Sequence, residues 1–286
     1  MRRLDRTMVK RYFAAARERY RILLLRRQGA EWPWTEDPVF REFRFTNVFR
    51  EDDKTTVWFR ENIRNPLREQ PEVLLATMVF RAFNRIETGE LLKDLLLGEW
   101  NTSEAERRLR AVADAGVPYV TGAYMVRSEN GLPKFRGILE AVDAFIECVD
   151  VERVEEFRQL RSAHSYLVGA PYLGGFTTYE IVTDLRWTYL LEDANDIMTW
   201  CHVGPGATRG LGRLTGGGAS EFQQGRDQEA MLPLLEKILD ESLKLTNWPG
   251  GWPAWSMREV EHWLCEFDKY ERARLGEGKM KRKYQP

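Results

Sequence analysis

Ser256-Met257-Arg258-Glu259-Val260-Glu261-His262-Trp263-Leu264-Cys265-Glu266-Phe267-Asp268-Lys269-Tyr270 reads as a helix more clearly than any other stretch of the chain. Ser256 followed three residues on by Glu259 is a capping-box pair, in which hydroxyl and carboxylate satisfy first-turn N–H groups reciprocally. Val260, Trp263, Leu264 and Phe267 then recur at spacings of three and four and form one apolar stripe. Glu261, His262, Cys265, Glu266 and Lys269 occupy the remaining sides. The helix is thus expected to bury one face and to keep ionisable groups on the others.

The same period governs most of the sequence upstream. In Gln70 to Glu87, Pro71 suits a first turn, and Leu74, Leu75, Met78, Val79, Ala82, Phe83 and Ile86 share one face, with Thr77, Arg81 and Asn84 on another. Helices are also predicted for Thr102 to Ala115, stopped by Gly116, for Leu132 to Val149, for Val151 to Leu167 and for Gly175 to Leu191. A longer one spans Asp227 to Leu245, with Pro233 as a shortening or kinking point. Strand signals are sparse. Val117 to Val126 is the best extended candidate, interrupted by Pro118 and Gly122, and Arg41 to Arg50 reads equally as loop or short helix. Trp248 to Trp255 reads as a packed loop of rigid rings. The expected fold class is all-α.

Composition agrees with a folded chain. The 286 residues carry 43 Lys+Arg against 44 Asp+Glu, with 43% hydrophobic and 30% charged residues, enough to build a core and cover it with charge. That length suits one large or two small domains at about 150 residues each. No repeat or linker cuts the sequence, so the expectation is one helical globule over residues 1–275 and a basic flexible tail over 276–286. No apolar run approaches the roughly 18 residues of a bilayer span, and the basic N-terminus lacks the apolar core of a secretory signal. The expected location is the cytoplasm, the host's if the gene belongs to a phage. Cys148, Cys201 and Cys265 form no CxxC pair, and His164, His202 and His262 are the only imidazoles, so neither a disulfide framework nor a metal site is expected. The charge is unevenly spread, with arginines crowding residues 2–27 and lysines closing the chain, a distribution suited to a polyanion.

Four clusters have residue types suited to chemistry. Arg44-Phe45-Thr46-Asn47-Val48-Phe49-Arg50-Glu51-Asp52-Asp53 sets two guanidiniums, an amide and three carboxylates among apolar anchors. Arg44 and Arg50 have the fork geometry for phosphate, Asn47 the amide for a pyrimidine edge, and Asp53 the carboxylate of a base; a capped, ion-paired helix start needs the same residues. Arg81 and Asn84 lie on one helical face. On the last helix, Glu261 and Glu266 are candidate proton acceptors, and Lys269 can pair with Glu266 three residues away. The fourth cluster, Tyr166 to Ile181, joins two helices through a Pro/Gly turn and offers backbone N–H groups at a helix start.

That turn resembles the helix-hairpin-helix of DNA repair glycosylases, which would assign Gly169, Tyr172, Gly174 and Gly175, with Gly204, Gly206 and Arg209 downstream, to gripping DNA. Phe176 stands where the lyase-type enzymes carry lysine, and Gly204 about where the catalytic aspartate falls, so cleavage of the glycosidic bond is not expected. Arg44-Phe45-Thr46-Asn47-Val48-Phe49-Arg50, Arg81-Ala82-Phe83-Asn84 and Met257 to Tyr270 together resemble the α-glutamyl/putrescinyl thymine pyrophosphorylase family, over most of residues 12 to 273. That family shares its glycosylase-like helical domain with 5-hydroxymethyldeoxyuridine DNA kinases, and its phage members include amino acid:DNA transferases.

The resemblance implies a helix-hairpin-helix glycosylase-like fold and an enzyme that replaces the (pyro)phosphate of phosphorylated 5-hydroxymethyluracil in double-stranded DNA with an amine. Arg44, Arg50 and Arg81 would hold the leaving phosphate, Asn47 or Asn84 the uracil edge, and Tyr119 or Tyr124 would stack on it. Asp53, Glu261 or Glu266 would take a proton, with Lys269 or Arg258 pairing an amino-acid carboxylate. Arg44, Arg81 and Glu266 would then share one concave pocket. The implied partners are DNA, a free amino acid or polyamine, and a separate DNA kinase, since no GxxxxGK[ST] occurs in these 286 residues. No organic cofactor is implied. A non-catalytic module that recognises modified pyrimidines for such a kinase is the alternative, and a glycosylase using Asp184, Asp193 or Asp196 a third reading.

Overall fold

The computed structural model describes residues 2–121, 132–278 and 283–284. Among them thirteen α-helices form. In chain order these are α1 (Arg6–Arg27), α2 (Pro38–Glu42), α3 (Lys54–Phe59), α4 (Glu72–Phe83), α5 (Ile86–Leu97), α6 (Thr102–Asp114) and α7 (Lys134–Cys148). The series continues with α8 (Val151–Glu155), α9 (Leu160–Leu167), α10 (Gly175–Leu185), α11 (Pro205–Leu214), α12 (Gln228–Ser242) and α13 (Met257–Leu275). The class is all-α. The one ladder-type pairing among the described residues is an isolated antiparallel bridge between Phe43 and Lys283. Of the extended candidate Val117 to Val126, residues 117–121 are irregular and the rest lie outside the described residues. No described helix is long and apolar enough to cross a membrane.

Where the expectation is one globule, the chain divides into two compact units: residues 1–53 with 197–286, and residues 54–196. The first unit is built on α1, α2, α11, α12 and α13. Gly210 of α11 lies so close to α13 that a Cβ there would collide with the Leu264 carbonyl, and one on Gly206 would collide with Cys265 Sγ. Glycine lets two helix backbones approach where a larger residue would hold them apart. Tyr12 packs edge to face on Phe13 and Phe267 inside this unit, with Trp255 tilted against Tyr12 and Phe13, and the Tyr12 hydroxyl donates to Val260 O at 3.2 Å. The Trp248–Trp255 loop is the expected ring cluster: Trp248, Trp252 and Trp255 pack on one another and on Tyr20 and Phe49.

The terminal helix begins as its sequence requires. Ser256 accepts from Arg258 N, and Glu259 Oε2 accepts from Ser256 N at 2.9 Å. Gly276 closes it in the left-handed conformation at φ 70°. Beyond it the expected flexible tail is in part docked: Tyr284 N donates to Glu42 O at 2.8 Å, and its ring stacks on Trp32 at 5.1 Å.

The second unit departs from the sequence reading at three boundaries. The predicted helix Gln70 to Glu87 breaks at Asn84, which adopts φ 46° and caps α4 before α5 begins. Asparagine tolerates the left-handed region because its short polar side chain can bond locally. Val151 to Leu167 divides into α8 and α9, since Asp196 accepts from Leu160 N at 2.7 Å and Arg161 N at 3.0 Å and so starts a new helix there. Gly175 to Leu191 ends as a regular helix at Leu185. Between α9 and α10, residues 168–174 turn the chain, with Tyr172 at φ 66° and His164 Nε2 bonded to Gly175 O at 2.9 Å.

Candidate functional site

In the first unit the structure brings two of the sequence clusters together. The loop Arg44–Asp53 crosses the polar side of α13, and Arg19 from α1 fastens it from beneath. Arg19 is buried; its Nε donates to Thr46 O at 2.9 Å and its Nη2 to Asn47 Oδ1 at 2.5 Å. Burial pulls this guanidinium down to about 10, against the opposing pull of Asp53 and Glu266. From the other side, Glu266 Oε2 accepts Thr46 N at 2.9 Å and Lys269 Nζ at 3.3 Å. Lys269 also donates to Arg44 O and lies 4.5 Å over the Phe45 ring.

Asn47 is fully engaged. Its Oδ1 takes the Arg19 bond, while its Nδ2 donates to Asp52 O at 2.7 Å and Asp53 Oδ1 at 3.1 Å. An amide with both ends bonded inside the protein stiffens a loop. The expected pyrimidine-reading role therefore has no side-chain atom of Asn47 left to serve it. Glu266 is in the same position as a base, because its bonds hold Thr46 and Lys269 in place.

Asp53 differs. Oδ1 accepts Asn47 N at 2.8 Å, whereas Oδ2 faces His262 Nε2 at 3.9 Å. Burial raises its carboxyl to about 6, opposed by the Asn47 hydrogen bond and by Arg50 and Arg19. His262 Nε2 lies 3.0 Å from Asn47 O and 3.2 Å from Thr46 Oγ1. Burial, then the charges of Arg258 and Arg50, hold this imidazole well below its ordinary range. Glu261 is buried, accepting Gly204 N at 3.2 Å and Arg258 Nη1 at 3.1 Å, and burial raises its carboxyl against the pull of Arg258. Arg44 is exposed at the edge of this cluster. His262 is absent from the residues the resemblance implies; its place on the polar side of the last helix is the sequence signal that marks it.

The second unit holds Arg81, and there its environment is a sealed ion pair. Arg81 Nε and Nη2 donate to Asp184 Oδ2 and Oδ1 at 2.5 and 2.9 Å, and Arg64 Nη1 donates to Asp184 Oδ1 at 3.1 Å. All three are buried. Arg81 Nη1 donates to Asn84 Oδ1 at 3.0 Å, which turns the Asn84 amide nitrogen away from the pair. The expected phosphate contact by Arg81 thus meets a guanidinium at 0% exposure that is already bound bidentately. Asp184, a carboxylate of the glycosylase reading, is spent in the same pair.

The other expected residues fall as follows. Tyr119 is half-buried with its ring 5.7 Å from Phe135, and Tyr124 lies outside the described residues. Gly169, Tyr172 and Gly174 are exposed on the turn before α10, and Gly175 opens that helix without a side-chain cap. Gly204 N is held by Glu261, Gly206 faces Cys265, and Arg209 is half-exposed with its Nε on Asp268 at 2.8 Å.

With this geometry in place, comparison with known proteins supplies a family. Residues 6–280 match the family described as "5-hmdU DNA kinase, helical domain", and the chain belongs to it. A relative named "5-hmdU DNA kinase" from Bacillus phage SP10 is 27% identical over 302 aligned positions, covering 92% of this chain and 45% of the relative. The chain therefore spans less than half the length of that protein. No solved structure matches it.

Proposed function

We propose that the protein is a DNA-modifying transferase that replaces the phosphate of phosphorylated 5-hydroxymethyldeoxyuridine with an amine, as in the pyrophosphorylase group the sequence resembles. The observation that carries this reading is the meeting of the Arg44–Asp53 loop with α13, which sets Asp53, its carboxyl raised to about 6, 3.9 Å from the neutral His262 ring and within the field of Arg50. The kinase name of its relative points to 5-hydroxymethyldeoxyuridine in DNA as the shared substrate chemistry. The pyrimidine ring can expel a phosphate from its 5-methylene, and cationic side chains lower that barrier by neutralising the charge that leaves. Arg44 and Arg50 take this role. Extrusion of the base from the duplex precedes the chemistry, and the turn before α10, used as a helix-hairpin-helix, holds the DNA backbone.

Duplex DNA carrying the phosphorylated base, incubated with the protein and glycine, glutamate or putrescine and then digested to nucleosides, is expected to show the mass of an amine adduct and an equivalent of phosphate. Phosphate without adduct would reduce the activity to a phosphatase.

A second reading has its own support. The match falls on a helical domain, covers 45% of the kinase relative, and no GxxxxGK[ST] occurs in the 286 residues. The protein would then bind modified pyrimidines for a partner kinase. Stoichiometric binding without turnover across the amine series is its signature.

A further inference from the structure

His262 has a geometry that neither Asp53 nor Glu266 shares. Its Nε2 points at Asn47 O, 3.0 Å away, and a carbonyl only accepts, so Nε2 carries the hydrogen. Thr46 Oγ1 at 3.2 Å shares that N–H. The neutral ring must then hold its lone pair on Nδ1, to which no hydrogen bond runs from the described residues. Asp53 Oδ2, at 3.9 Å, is close enough to stabilise an imidazolium. The Asn47 amide and its backbone N–H hold Asp53 in that position. An imidazole with one nitrogen oriented by an acceptor, a carboxylate nearby and the other nitrogen open is the arrangement of a general base.

We propose that His262 is the catalytic base of the transfer, taking the proton of the incoming ammonium on Nδ1, with Asp53 as the positioning carboxylate that stabilises the imidazolium. This rests on the transferase reading and assigns its missing proton acceptor. In the step, the ammonium R–NH3+ gives one proton to Nδ1. The amine nitrogen forms a bond to the 5-methylene carbon, and the carbon–oxygen bond breaks with its electron pair leaving on phosphate. The imidazolium returns its proton to that phosphate, so the products are the alkylammonium on the base and hydrogen phosphate. The charged groups that set the balance are Arg258 on α13 and Arg50 on the loop, which favour the neutral ring. Burial acts in the same direction and more strongly, and the Asn47 hydrogen bond opposes them; Asp53 is itself under the influence of Arg50, Arg19 and Glu266. The neutral form prevails at pH 7, as a base requires.

The test uses the full chain, duplex DNA carrying phosphorylated 5-hydroxymethyldeoxyuridine and whichever of glycine, glutamate or putrescine the wild type transfers. His262→Gln keeps a donor for Asn47 O and removes Nδ1; turnover is expected to fall about 100-fold or more with DNA affinity unchanged, the range of general-base loss. Added imidazole should restore part of the rate in His262→Gln, and none in Asp53→Asn. Rescue separates a proton acceptor from a packing residue, and His262→Asn with its thermal melt controls for misfolding. A wild-type protein that transfers no amine overturns the transferase reading itself. Wild-type transfer with an equally active His262→Gln, or a slow variant that imidazole leaves unchanged, overturns the assignment of His262 alone.

Discussion

The two polar clusters of this protein use the same residue types to opposite ends. Around Asp184, two arginines close on one carboxylate and every member is buried. Around His262, side chains are fastened to backbone groups, and Asp53 and His262 keep 22% and 14% of their side-chain surface, so a proton can come and go. A fully desolvated charge pair resists change because separating its members strands a buried charge. A partly wet carboxyl raised to about 6, set 3.9 Å from an imidazole that burial keeps neutral, can change state at little cost. The first arrangement suits scaffolding and the second suits chemistry.

The sharpest way to break this contrast is Asp184→Ala, which leaves Arg64 and Arg81 buried without their shared carboxylate. A loss of about 3–5 kcal/mol in urea unfolding is expected, and an unchanged midpoint would mean the pair contributes no more than a surface contact. Arg81→Ala should likewise act on stability before it acts on turnover, the reverse of a phosphate-binding arginine. Next in size is Asn47→Ala, which removes one of the two hydrogen bonds on Asp53 Oδ1 and leaves Arg19 short of an acceptor. About 1–3 kcal/mol should be lost, with turnover falling further than DNA affinity because the loop then holds Asp53 beside His262 by its backbone bond alone. Ser256→Ala removes one half of the capping box and should cost about 1 kcal/mol, with little change in the pH profile since it lies at the start of α13.

The smallest effect is one of slope. Asp53 is raised to about 6 in the folded state, so folding takes up protons between about pH 4 and 6 and its contribution to stability falls as pH rises through that window. His262 is lowered, so its contribution is lost as pH falls below about 6.5. The two oppose each other in the wild type. Denaturant melts at stepped pH should show the Asp53→Asn variant losing stability more steeply on acidification than the wild type, and the His262→Gln variant less steeply.

Much of the fold was legible because helices announce themselves locally. The α13 capping box, the Gly116 stop at φ 69° and the ring cluster of Trp248 to Trp255 all follow from neighbours in sequence. The breaks at Asn84 and before Leu160 escaped because each depends on a distant or unusual partner, Arg81 for the asparagine side chain and Asp196 for the helix start. The candidate site was half legible. The polar side of the last helix and the Arg44–Asp53 loop stand out by composition, but their pairing spans more than two hundred residues, and no periodicity carries such a separation.

What the sequence by itself determined is the set of helices and their polar and apolar faces, since backbone hydrogen bonding and side-chain spacing act within a few residues. Only the tertiary structure decided what each polar residue does. Arg81 and Arg44 are the same guanidinium in sequence, yet one is sealed against Asp184 and the other is exposed at the edge of the His262 cluster. The reason is physical: a charged group's role depends on its solvation and on which atoms already occupy its hydrogen bonds, and both are fixed by packing across the chain.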